Sequence, residues 1–482
     1  MMYEKRRMHP ATVVFNFFRL IKDFFIPILI SFFTLGTEGM EYFLIIVAIV
    51  LILFIPYSIL SWYRFTYEVT EDELIVEHGI LIKRKRYISK NRIHSIDLTQ
   101  NILHRFLQLV KVQIETAGSG DGAEVFLKAI DLKDGEMLRE HLKQTQEEES
   151  KTSDENAPPN PQDQITARRL FITGTTSGSL GLLLAISGFF FSQIEQLIPE
   201  NFVDETFRWV IGLSAMLLVG FIILFLLFLW VLGIAGTMIK YGNFTITKQG
   251  DELFITRGLL EKKQITLPLD RIQAVGIDES IFRQPFGYAT VYVEVAGGVL
   301  DGTSDFTTVL FPLLKKEEIE QFLGKYLSAY KDVNELKMKR PPTKSLFYYE
   351  GRVLIPVIII AFFNYWLFPG VFYVSGILFL LAALYGWMQF RDSGFKIDSD
   401  RVTIRYRRGL TRSTIRVFRY RIQAMEVKQH KLHQFQRLAT VQLSILATAG
   451  NGKHFTANEM NGEDVEHLFT WYSRRKTIGI SS

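Results

Sequence analysis

The sequence predicts membrane-spanning α-helical hairpins combined with α+β domains: three repeats, each of two transmembrane helices followed by a small β-barrel capped by a C-terminal helix. Three observations lead there. Long apolar runs come in closely spaced pairs, an internal repeat recurs at fixed spacing, and each copy of it closes with an amphipathic helix pattern.

Crossing a hydrocarbon core of about 30 Å takes about 20 largely apolar residues in a helix. Residues 40–62, 207–238 and 370–388 satisfy this, and each has an apolar neighbour just upstream, at 21–35, 180–198 and 353–368. The short loops between neighbours force the second helix back beside the first. Lys22 and Asp23 at the start of the first span leave it the shortest apolar core, with a re-entrant segment as the alternative. A signal peptide does not fit, because no small-residue cleavage site follows and another span comes directly after.

Lysine and arginine set the orientation. Lys5, Arg6, Arg7, Arg19 and Lys22 precede the first hairpin, and Arg64 and Lys83 to Arg86 follow it. Arg168, Arg169, Lys240 and Lys248 flank the second, and Lys339, Arg340, Lys344, Arg352 and Arg391 flank the third. The loops inside the hairpins carry acids (Glu38, Glu41, Glu195, Glu200, Asp204, Glu205) or, at 368–370, no charge. Both termini and every soluble segment are therefore expected in the cytoplasm.

The repeat is explicit. Gly79, Arg92-Ile93 and Gly118 match Gly258, Arg271-Ile272 and Gly297 at a constant offset of 179. Arg271-Ile272-Gln273-Ala274 and Ala289-Thr290-Val291 match Arg421-Ile422-Gln423-Ala424 and Ala439-Thr440-Val441 at an offset of 150, with one residue deleted upstream, where Gly258 matches Gly409. Each copy opens with three alternating or β-branched strands, at 65–70, 73–77 and 80–86 in the first, 244–247, 252–256 and 259–265 in the second, and 395–397, 401–406 and 410–417 in the third. A strand at the Arg-Ile pair follows, then a short amphipathic turn (102–107, 281–286, 432–437) and a strand such as 110–116. Asp121-Gly122, Asp301-Gly302 and Asn451-Gly452 supply hairpin turns. The closing helices fall at 134–144, 315–330 and 462–473, with apolar residues three or four apart, such as Met137, Leu138 and Leu142 or Val465, Leu468, Phe469 and Tyr472.

A basic patch, two spans, strands around an Arg-Ile-Gln core and a closing helix resemble the bacterial pleckstrin-homology (PH-like) membrane proteins, formerly a domain of unknown function. The resemblance covers nearly the whole chain, and Arg-Arg-Met-His-Pro at 6–10 fits it; His94 stands in the first copy where Gln273 and Gln423 stand in the others. It implies a PH-like barrel at the inner membrane face. It does not imply phosphoinositide binding. The expected layout is a basic N-terminus and hairpin at 1–62, PH-like domain 63–144, disordered linker 145–167, hairpin 168–240, PH-like domain 241–330, linker and hairpin 331–388, and PH-like domain 389–476. The polar 144–166 stretch cannot bury a core, and the basic 331–345 connection, with Pro341-Pro342, is expected along the anionic leaflet.

Chemistry is sparse. No cysteine is present, which excludes disulfides and thiolate ligands. His430, His433 and His454 lack a further ligand at zinc spacing. Gly118-Ser119-Gly120-Asp121-Gly122 lacks the Lys-Ser/Thr of a phosphate loop. Inside the spans Asn364 is the clearest polar residue, and Gly181, Gly188, Gly212, Gly220 and Gly233 are expected to allow close helix packing. No catalytic residue, cofactor or metal is expected. Arg92, Arg271 and Arg421 recur in every copy, and Arg405, Arg407, Arg412 and Arg416 add basic residues on shared strand faces of the third. Two readings stand for these arginines: ties within their own domain, or one surface for headgroups or a partner.

The expected function is a non-enzymatic scaffold in the bacterial inner membrane, serving envelope maintenance or stress defence. Its expected partners are anionic lipid headgroups and a sister PH-like membrane protein or a second copy, with no nucleic acid. The alternative is a lipid-handling protein or transporter that uses the hairpins as a path.

Overall fold

The computed structural model describes residues 5–34, 36–70, 72–116, 125–147, 161–177, 187–188, 215–296, 307–331, 338–367, 372–446 and 452–473. The segment 180–198 and the three Asp-Gly or Asn-Gly turns lie outside the described residues, apart from residues 187–188 and Gly452. The chain divides into two compact units that part between Leu267 and Pro268.

The first unit begins with helices α1 (Ala11–Thr34) and α2 (Gly36–Arg64). The first repeat then forms β1 (Thr66–Val69), β2 (Glu73–His78), β3 (Arg84–Ser89), β4 (Ile93–Gln100), α3 (Ile102–Phe106), β5 (Leu109–Thr116), β6 (Val125–Asp131) and α4 (Leu132–Glu147). The expected barrel is open, its halves being two three-stranded antiparallel sheets. Alternation puts Val69, Leu74, Val76 and Ile88 of β1–β3 and Ile96, Val112, Ile114 and Leu127 of β4–β6 into one core. Leu138 and Leu142 of α4 close it, while Met137 of the same helix stays exposed.

The second repeat enters this unit with β7 (Gln162–Gln164), α5 (Ala167–Thr175), α6 (Ala215–Tyr241), β8 (Thr245–Gln249), β9 (Glu252–Arg257) and β10 (Lys262–Pro268). The 145–167 linker is therefore not structureless throughout. Its end pairs with β8, from Gln162 opposite Thr247 to Gln164 opposite Thr245, because an open edge offers hydrogen bonds to a segment with no core of its own.

The second unit holds β11 (Ile272–Ser280), β12 (Tyr288–Val295), β13 (Thr307–Lys315) and α7 (Lys316–Tyr326). Then come α8 (Leu346–Leu367), α9 (Phe372–Asp392), β14 (Gly394–Ile397), β15 (Arg401–Arg408), β16 (Thr411–Phe418), β17 (Ile422–Lys428), α10 (Lys431–Phe435), β18 (Leu438–Ile445), β19 (Lys453–Asn461) and α11 (Gly462–Ser473). Phe395, Ile404 and Val417 meet Val441, Leu443 and Phe455 in the third repeat's core, closed by Val465 and Leu468 of α11.

Among the described residues, four segments are long and apolar enough to cross a membrane: 41–64, 219–241, 343–367 and 374–392. They lie in α2, α6, α8 and α9, and their apolar side chains point outward along most of their length, as a lipid solvent allows. The helix expected at 21–35 starts at Ala11 instead, because Thr12 and Asn16 pack on the first repeat and Ser58 of α2. In the third hairpin Asn364 donates to Ser375 Oγ at 3.0 Å, which satisfies its amide across the two helices. Among the described residues, a Cβ at Gly188 or Gly220 would meet nothing within 4 Å. Close helix approach occurs at Gly174 against Ile234, and at Gly386, where a Cβ would lie 3.0 Å from Glu350 Cα.

The chain entering a hairpin pairs with the strand that leaves it. Arg6 and Tyr67 exchange backbone hydrogen bonds of 2.8 and 2.9 Å, and Lys339 and Phe395 do so at 2.9 and 3.0 Å. Side chains reinforce both clasps, since Arg6 reaches Asp134 at 2.8 Å and Lys339 reaches Asp464 at 2.5 Å in the first turns of the closing helices. Lys339 is thus tied to its own domain.

Candidate interaction surfaces

The strands of neighbouring repeats pair. In the first unit the sheet order is β6-β5-β4-β10-β9-β8-β7, so the second half of repeat one continues into the first half of repeat two. In the second unit the order is β13-β12-β11-β16-β15-β14, the same junction between repeats two and three. Gln100 lies opposite Lys262 in the first junction and Glu279 opposite Arg412 in the second. Gln100 matches Glu279 at the repeat offset of 179, and Lys262 matches Arg412 at 150, so both junctions use one register.

Polar groups fix the first junction. Asp97 Oδ1 accepts the Thr266 amide at 3.0 Å, and Arg105 of α3 donates to the Leu259 carbonyl at 2.7 Å. Arg139 of α4 reaches Gln264 and Thr266, each at 3.4 Å, and lies 4.9 Å over the Phe254 ring.

The second junction is ionic. Arg412 binds Glu279 at 2.6 Å and Asp392 at 3.4 Å; Asp392 also takes Arg407 at 2.5 Å, and Lys316 reaches Glu279 at 2.7 Å. Arg407 and Arg412 lie directly opposite on β15 and β16, and the Asp392 carboxylate offsets the repulsion this creates. Ser413 donates to Asp278 at 2.6 Å, and burial pushes that carboxyl above its ordinary range. Lys453 adds a 2.5 Å pair with the buried Glu294.

Most of the basic residues singled out in the sequence fall here. Arg407, Arg412 and Arg416 do not form an exposed face pressing on a leaflet: the first two are in the ionic network, and Arg416 is buried and donates to the Tyr330 carbonyl at 2.9 Å. The reason is that β16 has β11 beside it, which carries Glu279, and that the end of α9 supplies Asp392. Arg405 bonds Thr414 within its own sheet at 3.1 Å. Arg421 donates to the Asp270 carbonyl, and Arg271 is half-buried, its carbonyl taking the Ala296 amide at 3.0 Å. Arg92 is exposed. The partners Asp97, Glu279 and Asp392 were missed, although acids among strand or span residues that are otherwise apolar need a partner and are the signal to look for.

A second surface lies at the foot of the first hairpin. A hollow of about 540 Å³ is lined by Lys5, Arg7, Tyr63, Arg64, Glu77 and Lys83. Glu77 is nearly buried and is held down at about 2 by donation from Lys5 (2.7 Å) and Lys83 (2.9 Å). Arg7 lies 4.3 Å over the Tyr63 ring. The hollow adjoins the last turn of α2, which ends at Arg64.

Among the described residues, no three His, Asp or Glu side chains are placed to hold a metal. His430 accepts the Leu432 amide at 3.4 Å, and His454 is bonded to Ser444 at 2.7 Å.

The model of the bacterial PH domain matches residues 21–146, 205–330 and 353–476. The chain belongs to the bacterial PH domain family. The first and third matches take in most of a hairpin and the second, from residue 205, only the second span of its own, each followed by the strands and closing helix, so this is a transmembrane protein with three bacterial PH domains. It is 31% identical over 508 residues to the transmembrane protein YdbT of Bacillus subtilis (strain 168), with 99% of this chain and 100% of YdbT covered. No solved structure matches it.

Proposed function

We propose that this protein is a non-enzymatic membrane scaffold, six spans holding three bacterial PH domains at the cytoplasmic face of the bacterial inner membrane. The observation that carries this reading is the pairing of β4 with β10 and of β11 with β16. In this chain neighbouring repeats are joined through strand edges, and strand addition is a general mode of protein recognition. The lysine and arginine bias around the hairpins supports the cytoplasmic placement of the domains and both termini. The hollow bounded by Lys5, Arg7, Arg64 and Lys83 supports contact with anionic headgroups, each basic residue near an anionic leaflet contributing about 1 kcal/mol.

The test is gentle detergent extraction of the tagged protein at native expression, with mass spectrometry of what co-purifies. A near-stoichiometric protein, or assembly of the chain with itself, is expected. A stoichiometric lipid with no protein partner and a monomeric chain would replace this reading with a lipid-handling one.

A further inference from the structure

Two strand edges remain where the repeat pattern leads one to expect a neighbour. Among the described residues, β3 is hydrogen-bonded to β2 alone and β17 to β18 alone. Strand β17 is the third copy of β4 and β11, which accept β10 and β16. Strand β3 is the first copy of β10 and β16, which are accepted. Among the described residues, one acceptor edge and one donor edge of the same interface are thus not joined to a further strand.

The register carries over. At the second junction Gly276 lies opposite Ile415. Moving Gly276 forward by 150 residues reaches Glu426, and moving Ile415 back by 150 and then by 179 reaches Arg86. The same shifts set Met425 opposite Tyr87 and Ala424 opposite Ile88. An acid therefore faces a base, as Glu279 faces Arg412 within the chain. The least favourable position is Arg84 opposite Lys428, where Glu426 already lies 3.2 Å from the lysine. Both edges are accessible: the side chains of Arg84 to Tyr87 are exposed, as are Gln429 and most of β17.

Charged residues often guard an edge against pairing. Here that explanation fails for β3, because Lys262 of β10 and Arg412 and Arg416 of β16 occupy corresponding strands and those strands pair.

We propose that this protein assembles head to tail with a second copy of itself, the β17 edge of one copy accepting the β3 edge of the next in antiparallel register with Glu426 opposite Arg86. The proposal rests on the scaffold reading and names its partner. Such a contact is heterologous, so it builds a ring or an open row in the plane of the membrane.

The chain has no cysteine, so introduced thiols are the only ones present. Arg86→Cys and Glu426→Cys would be placed in two differently tagged full-length copies, co-expressed and oxidised in the membrane. Directly opposed residues have Cα atoms about 4.5–5.5 Å apart, within disulfide reach. A mixed-tag disulfide is expected, and Arg84→Cys with Glu426→Cys, out of register, should give at least fivefold less. As a second measurement, Glu426→Arg should reduce association of purified copies at least tenfold, and mixing it with Arg86→Glu copies should restore it. Absence of the mixed disulfide and a charge-independent monomer would overturn the proposal. A disulfide confined within one chain carrying both cysteines would also overturn it, by showing that the chain closes on itself. If Glu426→Cys instead cross-links a different protein at near-stoichiometry, self-assembly falls and the scaffold reading stands. A monomer that retains no protein at all removes both.

Discussion

Glu279 of β11 and Arg412 of β16 face each other across the boundary between the second and third repeats, 2.6 Å apart, with the Glu279 side chain 1% exposed. The pair sits in a row that runs from Arg407 through Asp392, Arg412 and Glu279 to Lys316. Asp392 is the last residue of α9, so the foot of the third hairpin is tied directly into the sheet that joins two domains.

Removing one member of this row should cost far more than an exposed ion pair does. Glu279→Ala leaves Arg412 and Lys316 facing an empty buried position, and a loss of about 3–5 kcal/mol is expected. Thermal unfolding of the detergent-solubilised protein checks the size. A double-mutant cycle with Arg412→Ala should return a coupling above about 1 kcal/mol. A loss under about 1 kcal/mol for Glu279→Ala would mean that the pair is solvated.

The turn between β2 and β3, repeated between β9 and β10, demands glycine. Gly79 and Gly258 have φ of +112° and +102°, and a Cβ on either would lie 2.0 Å from a backbone carbonyl oxygen. Gly79→Ala or Gly258→Ala should destabilise by at least about 1–3 kcal/mol, since the φ strain alone is of that order. Gly409, at φ +55° with nothing within 4 Å, should accept asparagine almost without change in midpoint. Equal losses at all three positions would contradict this contrast.

Two groups make stability fall with acid. Glu77 has a folded-state pKa of about 2, below its ordinary value, because Lys5 and Lys83 donate to the carboxylate. Its contribution is therefore complete above the ordinary carboxylate range and is lost as pH falls toward about 2. His104, stacked on Phe15 (4.2 Å), is held below its ordinary value by burial, which outweighs the opposing hydrogen bond with the Lys128 carbonyl (3.0 Å). Its contribution is present above about pH 6.5 and is lost as the solution becomes more acidic. Thermal midpoints between pH 7.5 and 3, set by the experimenter at about half-unit steps, should fall in two stages. Glu77→Gln should flatten the lower stage and His104→Gln the upper one.

How much of this was legible follows from where the information lies. Hairpins, repeat and closing helices are written in local apolar spacing, and the positions of Leu138, Leu142, Val465 and Leu468 came out as read. Which edge a strand will pair with is not local. Arg412 and Glu279 are 133 residues apart, and the alternation of β16 is the same whether it pairs within its repeat or across a boundary. That is why Arg407, Arg412 and Arg416 read as an open basic face. Gln162 to Gln164 were illegible for a related reason: a polar triplet becomes a strand only because β8 offers it an edge.

The β4–β10 junction can be tested by itself through Asp97. Its carboxylate accepts the Thr266 amide at 3.0 Å, and the Thr266 residue is 1% exposed, so Asp97→Ala leaves a buried donor without that acceptor. The expected cost is about 1–3 kcal/mol. A stability measurement alone would not distinguish loss of the junction from loosening of the first core. Thr99 and Lys263 lie opposite each other in the pairing, so cysteines at both positions should form a disulfide in the otherwise wild-type chain. In the Asp97→Ala background the same disulfide should form several-fold more slowly, because the strands separate more often. An unchanged rate together with a lowered midpoint would place the role of Asp97 in its own domain and leave the junction held by backbone hydrogen bonds and Arg139.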